Sequence, residues 1–360
     1  MLSRQDVLKA YQVIRPVTNR TPIDHSRTFS TMTGNHVYLK LENLQKTGSF
    51  KIRGAYYKLS TLSPQEKKRG VIAASAGNHA QGVAYGSRLA GIKSFVVMPK
   101  NAPLAKIEAS QNYGAQVILY GKSFDEAHMY ALKLQGKLGA SFIHAFDDPF
   151  VIAGQGTVGL EVLEDLPEVE GLMVPVGGGG LISGIALAVK ETHPHLKLIG
   201  VQAERCPSML LSLKSGERQT VPHQETVADG IAVKRPGALT FEIISRYVDE
   251  LVTVKEKEIT QTMLYLLERS KQVVEGAGAA ALAALLFGKT KLVNKKVAVI
   301  ISGGNVDLAK LPFWLSRSIT LPNKIKGKKA DQNDQPNESA AQTIPMAVSR
   351  LDGAHQHISK

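Results

Sequence analysis

The chain has a single cysteine, Cys206, and a single tryptophan in 360 residues, and aromatic side chains make up only 6% of it. A lone cysteine excludes an internal disulfide framework and a multi-cysteine zinc site. Nucleic-acid platforms interleave a basic stripe with stacking rings. Here the basic residues behind the formal net charge of +13 are scattered, apart from Lys324, Lys326, Lys328 and Lys329. That charge reads instead as a generic basic surface that attracts small anions. No apolar run approaches the roughly 20 residues of a membrane helix. The first residues, Met1 to Asp6, carry charge where a secretory signal would be apolar. The expected setting is cytoplasmic, with neither membrane nor nucleic acid as partner, so the sequons at Asn19 and Asn337 read as chance matches.

What remains is a pattern of short apolar runs alternating with helical spacing. Strands are predicted at Val71–Ser75, Phe95–Met98, Gln116–Tyr120 and Phe142–His144, with a helix over Asn78–Leu89. From Pro149 the pattern repeats: a helix to about Asp165, a strand at Gly171–Val176, a helix from Leu181 to about Thr192, and a strand at Lys197–Val201. Helical spacing over Glu256–Val274 and Ala277–Leu286 then precedes a strand at Lys296–Ile301. This alternation implies parallel sheets covered by helices on both faces, an α/β fold. Ligands of such sheets bind beyond the carboxyl ends of strands. The loops in that position are Ser75–His79, Gly177–Gly180, Ser302–Asn305 and the turn after His144. Beyond residue 318 the composition turns polar, and residues 319–360 are expected to form a disordered tail.

Gly177, Gly178, Gly179 and Gly180 stand between a strand and a helix, where glycine lets several backbone N–H groups converge on one point. The helix from Leu181 adds its positive end, an arrangement suited to a phosphate. Gly154, Gly156 and Gly159 match a dinucleotide-binding spacing. Asp148 and Pro149, however, begin a helix just before them, so close helix packing is the better reading. Lys51, in Gly48-Ser-Phe-Lys-Ile-Arg-Gly54, follows the strand-like Val37–Leu41 and a Gly-Ser turn, which lets it start a helix. Burial, helix-start N–H groups and nearby Arg53 would all disfavour its charged form and make it a usable amine.

That lysine segment resembles the cofactor-lysine motif of the threonine dehydratase and serine racemase family, in the tryptophan-synthase-β-like (fold type II) group of pyridoxal-phosphate enzymes. The resemblance spans residues 2–311. It includes Ser75-Ala-Gly-Asn-His-Ala-Gln-Gly82, Ala153-Gly-Gln-Gly-Thr157, Val176-Gly-Gly-Gly-Gly-Leu181, Glu275-Gly-Ala-Gly278 and Ser302-Gly-Gly-Asn305. It implies two domains, a large one from residues 1–60 and 148–318 and a small inserted one from residues 61–147. It implies pyridoxal 5'-phosphate as cofactor, joined to Lys51 as a Schiff base, with its phosphate held by Gly177 to Gly180 and Leu181. By the same resemblance Asn78 would meet the ring hydroxyl, Ser302 the pyridine nitrogen, and Glu275 would lie near the ring. Backbone N–H groups of Ser75, Ala76, Gly77, Asn78 and His79 would take the carboxylate of a small amino-acid substrate. The implied reaction is loss of water and ammonia from L-threonine to give 2-oxobutanoate, with serine as a side substrate, in a homodimer or homotetramer.

Two departures narrow the choice within the family. Racemases carry a serine before the Gly-Asn pair as an acid–base group on the cofactor's opposite face. Here Ala76 has no proton to give. Their divalent-metal site has a glutamate followed six residues on by an aspartate, whereas Glu204 is followed there by Leu210, so no tight divalent-metal site is expected and a monovalent ion stays open. Asp147 and Asp148 read as helix caps, His79 as a backbone-bonded histidine, and His193 and His195 as residues at a helix end. Serine racemase or serine dehydratase chemistry, a nicotinamide dehydrogenase using Gly154–Gly159, and a non-catalytic ligand-binding relative are the rival readings.

Overall fold

The computed structural model describes residues 2–222 and 224–310; the tail expected over 319–360 lies outside the described residues. The strands among these are β1 (Ile23–His25), β2 (His36–Leu41), β3 (Val71–Ala74), β4 (Ser94–Met98), β5 (Gln116–Leu119), β6 (Ser141–Phe142), β7 (Gly171–Pro175), β8 (Lys197–Ala203), β9 (Glu250–Val254) and β10 (Lys296–Ile301). They form a six-stranded sheet of order β1-β2-β10-β7-β8-β9 and a four-stranded sheet of order β5-β4-β3-β6. Every pairing is parallel except that of β1 with β2. The parallel α/β expectation holds.

The period of two along each strand divides the larger sheet's core. Val297, Val299 and Ile301 face the cluster around the apolar helix Gly276–Leu286, where Val37, Leu39, Ile199 and Val201 join them. Ala298 and Ile300 face the opposite cluster, built with the helices Pro149–Asp165 and Gly180–Val189. Burial on both faces explains why these strands read as continuous apolar runs. Two strands escaped the sequence pattern for the converse reason. β1 is three residues long with two of them exposed, and β9 is an edge strand with only Val254 fully buried.

Gly154, Gly156 and Gly159 lie inside the Pro149–Asp165 helix, as expected, and each opens a helix contact. A Cβ on Gly154 would come within 2.6 Å of the Gly54 Cα in the helix Lys51–Ser60. One on Gly156 would come within 2.5 Å of the Gly184 carbonyl in the Gly180–Val189 helix. The glycine-spaced helix is therefore wedged between the helix that begins at Lys51 and the helix that begins at Gly180. It fixes their separation, and its glycines lie inside a helix instead of in the strand-to-helix turn that a dinucleotide phosphate needs.

Some element ends differ from the sequence pattern. The helix expected to reach Val274 stops at Ser270, because Lys271 adopts a left-handed φ of 58° and its N–H returns to the Leu266 carbonyl. β6 ends at Phe142 rather than His144. There the His144 ring Nδ1 accepts from the N–H groups of Phe146 and Asp147 at 3.2 and 2.8 Å and turns the chain.

Candidate active site

Lys51 is the first residue of its helix, and the loop before it is sewn to the end of β10. Thr47 and Gly48 take φ values of 64° and 71°, and a Cβ on Gly48 would meet the Asn305 Oδ1 at 2.6 Å. Ser49 bridges to Gly303, the Phe50 N–H donates to the Ser302 carbonyl at 3.2 Å, and the Gly304 N–H donates to the Gly48 carbonyl at 2.9 Å. These bonds place Lys51 beside Ser302, 251 positions away in sequence, which is buried.

The Lys51 amine donates to the Ala145 carbonyl at 3.0 Å and lies 5.2 Å from the centre of the Phe50 ring. Burial lowers it from the usual lysine value to about 8, against the opposing pull of Glu275. At pH 7 roughly one amine in ten is then neutral, against about one in three thousand for an ordinary lysine. The expected contribution of Arg53 to this shift is absent. Its side chain is fully buried on the other side of the helix, among carboxylates of its own. Burial, not a neighbouring cation, depresses Lys51.

The residue after Ala145 joins the amine to the glycine loop. Phe146 packs so closely on Gly178 and Gly180 that a Cβ at either would overlap it. Gly177 is pressed against Ile231 and Val233, and Gly179, at a φ of 96°, against Thr240, Ile244 and Met209. The Thr240 hydroxyl donates to the Gly178 carbonyl at 2.7 Å. Among the described residues, none supplies an acceptor to the N–H groups of Gly177 to Leu181, and no side chain caps the buried helix start at Gly179. Buried helix starts ordinarily have such partners, so these amides fit an anionic group brought by a ligand.

A third group of residues closes the space. The Asn78 amide donates to the Glu275 Oε1 at 2.6 Å, and its carbonyl accepts from Asn305, which also donates to the Thr47 carbonyl, both at 2.8 Å. One N–H of Asn78 is left over for a ligand. Gly303 makes room for the Glu275 carboxyl, which a Cβ there would strike. Burial, then Asp229, raises Glu275 to about 8 despite the bond from Asn78.

Ser75, Ala76, Gly77, Asn78 and His79 run from the end of β3 into the helix Asn78–Leu89. The Ser75 N–H is already bonded to the Val97 carbonyl, and that of Gly77 to the Ser75 hydroxyl at 3.2 Å. The expectation that every amide of this segment is open therefore needs correction. The N–H groups of Asn78 and His79, in the first helical turn, lack intrahelical acceptors, and the space beside Gly77 is empty. The His79 Nε2 lies 2.8 Å from the Ile143 carbonyl. Burial, then Lys51, lowers the ring to about 3, so it is neutral and Nε2 is the donor to that carbonyl. The side chain thus has the backbone role expected of it.

Sequence reasoning named the turn after His144 and the Ser302–Asn305 loop but gave no role to Ala145, Phe146 or Asn305, and it missed a buried ionic set. Asp148 caps its own helix through the N–H groups of Phe150 and Val151. Asp147 instead caps the helix Ala238–Tyr247, accepting from Ala238, Leu239 and Thr240 at 2.8, 3.0 and 3.2 Å. No local signal marks a cap 91 positions from its helix. Arg53 pairs with Glu42 and Glu161, and Lys40 pairs with Glu161 at 2.6 Å, all four almost wholly buried. Removing one partner of such a set strands a buried charge, which costs about 3–5 kcal/mol. The described residues contain no cluster of His, Cys, Asp and Glu arranged to hold a metal ion, and no helix long and apolar enough to cross a membrane.

The protonation of Glu275 sets a pH dependence of stability. Its folded value of about 8 lies above the unfolded value of 4.5, so its stabilising contribution is complete below 4.5 and is lost as pH rises towards 8. Glu275→Gln in the cofactor-free chain is expected to remove this decline. Urea midpoints of both proteins from pH 5 to 8 check it; parallel curves would contradict the assignment.

Parallel sheets, an amine held partly neutral and a buried cradle of unbonded amides define the class: an α/β protein with a site that fits a ligand carrying an anionic group. The comparisons specify it further. The family model for pyridoxal-phosphate dependent enzymes matches residues 14–303, and the chain belongs to that family. It is 56% identical over 319 residues to an L-threonine ammonia-lyase of Thermotoga maritima, covering 89% of this chain and 79% of that one. It is 48% identical over 308 residues to a catabolic L-threonine dehydratase of Escherichia coli K12, covering 85% and 94%. Among solved structures, maize serine racemase matches with a TM-score of 0.83 and 35% identity over 88% of this chain and 97% of that one.

Proposed function

We propose that this chain is an L-threonine ammonia-lyase, converting L-threonine to 2-oxobutanoate and ammonia, with serine as a lesser substrate. The observation that carries the reading is the joint placement of Lys51 and the unbonded Gly177–Leu181 amides, joined through the consecutive residues Ala145 and Phe146. The amides of Gly177 to Leu181 would hold the cofactor phosphate, Asn78 the ring hydroxyl and Ser302 the ring nitrogen, with Glu275 against the ring. When bound, pyridoxal phosphate supplies the aldehyde that captures the substrate amine and a conjugated ring that acidifies the α-proton. A neutral Lys51 amine, aimed by the Ala145 carbonyl, takes that α-proton as general base. The Asn78 and His79 amides orient the substrate carboxylate at the helix start. Loss of the β-hydroxyl as water, followed by hydrolysis of the released enamine product, gives the oxo acid and ammonia. A serine hydroxyl at 302 cannot hold the ring nitrogen charged as a carboxylate would, which favours prompt β-elimination.

The scaffold alone does not select this outcome, since a racemase shares it. Ala76 supports elimination, because it offers no proton donor to the opposite face of the substrate. The test is direct. The purified protein should absorb at the violet edge and release oxo acid from threonine and serine, while recovered serine stays L. Rapid D-serine formation would select the racemase, and a colourless, cofactor-indifferent protein would overturn the reading.

The separate four-stranded sheet, within residues 71–142, supports a small lobe of residues 61–147 inserted in a large lobe of residues 1–60 and 148–318, of which residues 1, 223 and 311–318 lie outside the described residues. The reading carries with it a cytoplasmic enzyme and a homodimer or homotetramer, and light-scattering mass measures the latter.

A further inference from the structure

The Arg53 guanidinium uses all its donors. Nε and one NH2 hydrogen meet the Glu42 carboxylate at 2.8 Å each, and NH1 and NH2 meet the Glu161 carboxylate at 2.7 and 2.9 Å. The remaining contacts are longer, to the Thr157 hydroxyl at 3.3 Å and the Asn19 carbonyl at 3.4 Å. Glu42 lies in the turn just after β2, and Thr157 and Glu161 lie on the Pro149–Asp165 helix. One residue on, the Gly54 N–H donates to the Gln155 Oε1 at 3.1 Å, on that same helix. The first turn of the lysine helix is thus held from two sides by a planar fork.

Lys51 has four rotatable side-chain bonds, and among the described residues its amine is bonded only to the Ala145 carbonyl. Its direction therefore depends on the rotation of the helix, and a rotation would tear Arg53 from both carboxylates. We propose that Arg53 is a positioning residue for Lys51, clamping the first helical turn between Glu42 and Glu161 so that the amine meets the cofactor aldehyde from one direction. This rests on the reading of Lys51 as the cofactor lysine. Lysine cannot replace the fork, because an ammonium bonds neither carboxylate in a bidentate manner. Lys40 belongs to the same buried set but touches Glu161 and the Thr21 carbonyl, not the lysine helix.

The test compares Arg53→Lys, Glu42→Gln and Lys40→Met in the full chain. In cofactor-stripped protein, pH-dependent acylation of Lys51, read by mass spectrometry of its peptide, reports the amine directly. The titratable groups that face that amine, Glu275, His79 and His144, stay intact in every variant. Wild type should titrate near pH 8. In Arg53→Lys the amine gains water as the turn loosens, and its titration should rise by about one pH unit. Turnover of the loaded enzyme should fall at least about tenfold with KM changed less than about twofold, the pattern of a misplaced reacting group. Glu42→Gln should move both in the same direction by less. Lys40→Met should lower the melting midpoint and leave the Lys51 titration where it is. If Arg53→Lys fails to fold, Glu42→Gln against Lys40→Met decides. An unmoved titration in the arginine and glutamate variants, or an equal shift in Lys40→Met, overturns the proposal. Failure of the cofactor reading would show separately, as colour and turnover that survive loss of Lys51.

Discussion

Lys51→Ala is expected to lower threonine turnover by at least about 10⁴-fold, since the general-base step alone is worth 10²–10⁴, and to abolish violet absorbance while the chain stays folded. Two consequences follow from the one amine. In the proposed reading it forms the covalent link with the cofactor and it is the base for the α-proton. Stability should move the opposite way. A buried amine held at about 8 instead of 10.5 penalises the folded state, fully below pH 8 and not at all above 10.5. The alanine variant should therefore unfold at higher urea concentration than wild type near pH 7, both free of cofactor, and the gap should close towards pH 10.5. A variant with full turnover would remove Lys51 from the chemistry. A gap independent of pH would remove the burial explanation for its reactivity.

Gly178→Val should weaken pyridoxal-phosphate binding by more than about 100-fold. A Cβ at this position would overlap the Phe146 ring, so either the ring or the loop must move. Moving the loop scatters the amides proposed to hold the phosphate, and each hydrogen bond to a charged group is worth about 1.5–3 kcal/mol, or roughly ten- to a hundredfold in affinity. Moving the ring displaces Ala145, whose carbonyl aims the Lys51 amine. Inorganic phosphate separates the two routes. It should raise the melting midpoint of the cofactor-free wild type and not of the variant if the amide cradle is lost. Equal cofactor affinity in the two proteins would show that these glycines serve packing alone.

The sequence was most legible where one residue type serves both a local and a distant demand. Lys51 after a Gly-Ser turn, four glycines before an apolar helix, and Ser302 at the end of a buried strand each mark a strand end or a helix start. Ligand sites of parallel sheets gather at such places. The Gly154–Gly159 spacing was also legible, because Asp148 and Pro149 start a helix ahead of it. Other features have no local signature. Arg53 looks like a charge neighbouring Lys51, yet the fold turns it into a buried partner of Glu42 and Glu161. Asp147 and Asp148 look equivalent, yet they cap different helices.

Sequence by itself therefore determined the chain's α/β character, while its resemblance to a family of pyridoxal-phosphate enzymes implied the cofactor and the residues proposed to hold it. The α/β character follows from hydrophobic period and glycine placement, which act within a few residues; the cofactor follows from the five motif blocks that the chain shares, in order, with that family. Tertiary structure decided the state of those residues: a lysine made partly neutral by burial, a glutamate kept protonated, amides left without partners, and an arginine buried between two carboxylates. Each of these is an electrostatic or hydrogen-bonding condition set by what lies nearby in space. In this protein those neighbours come from segments 94 to 197 positions apart.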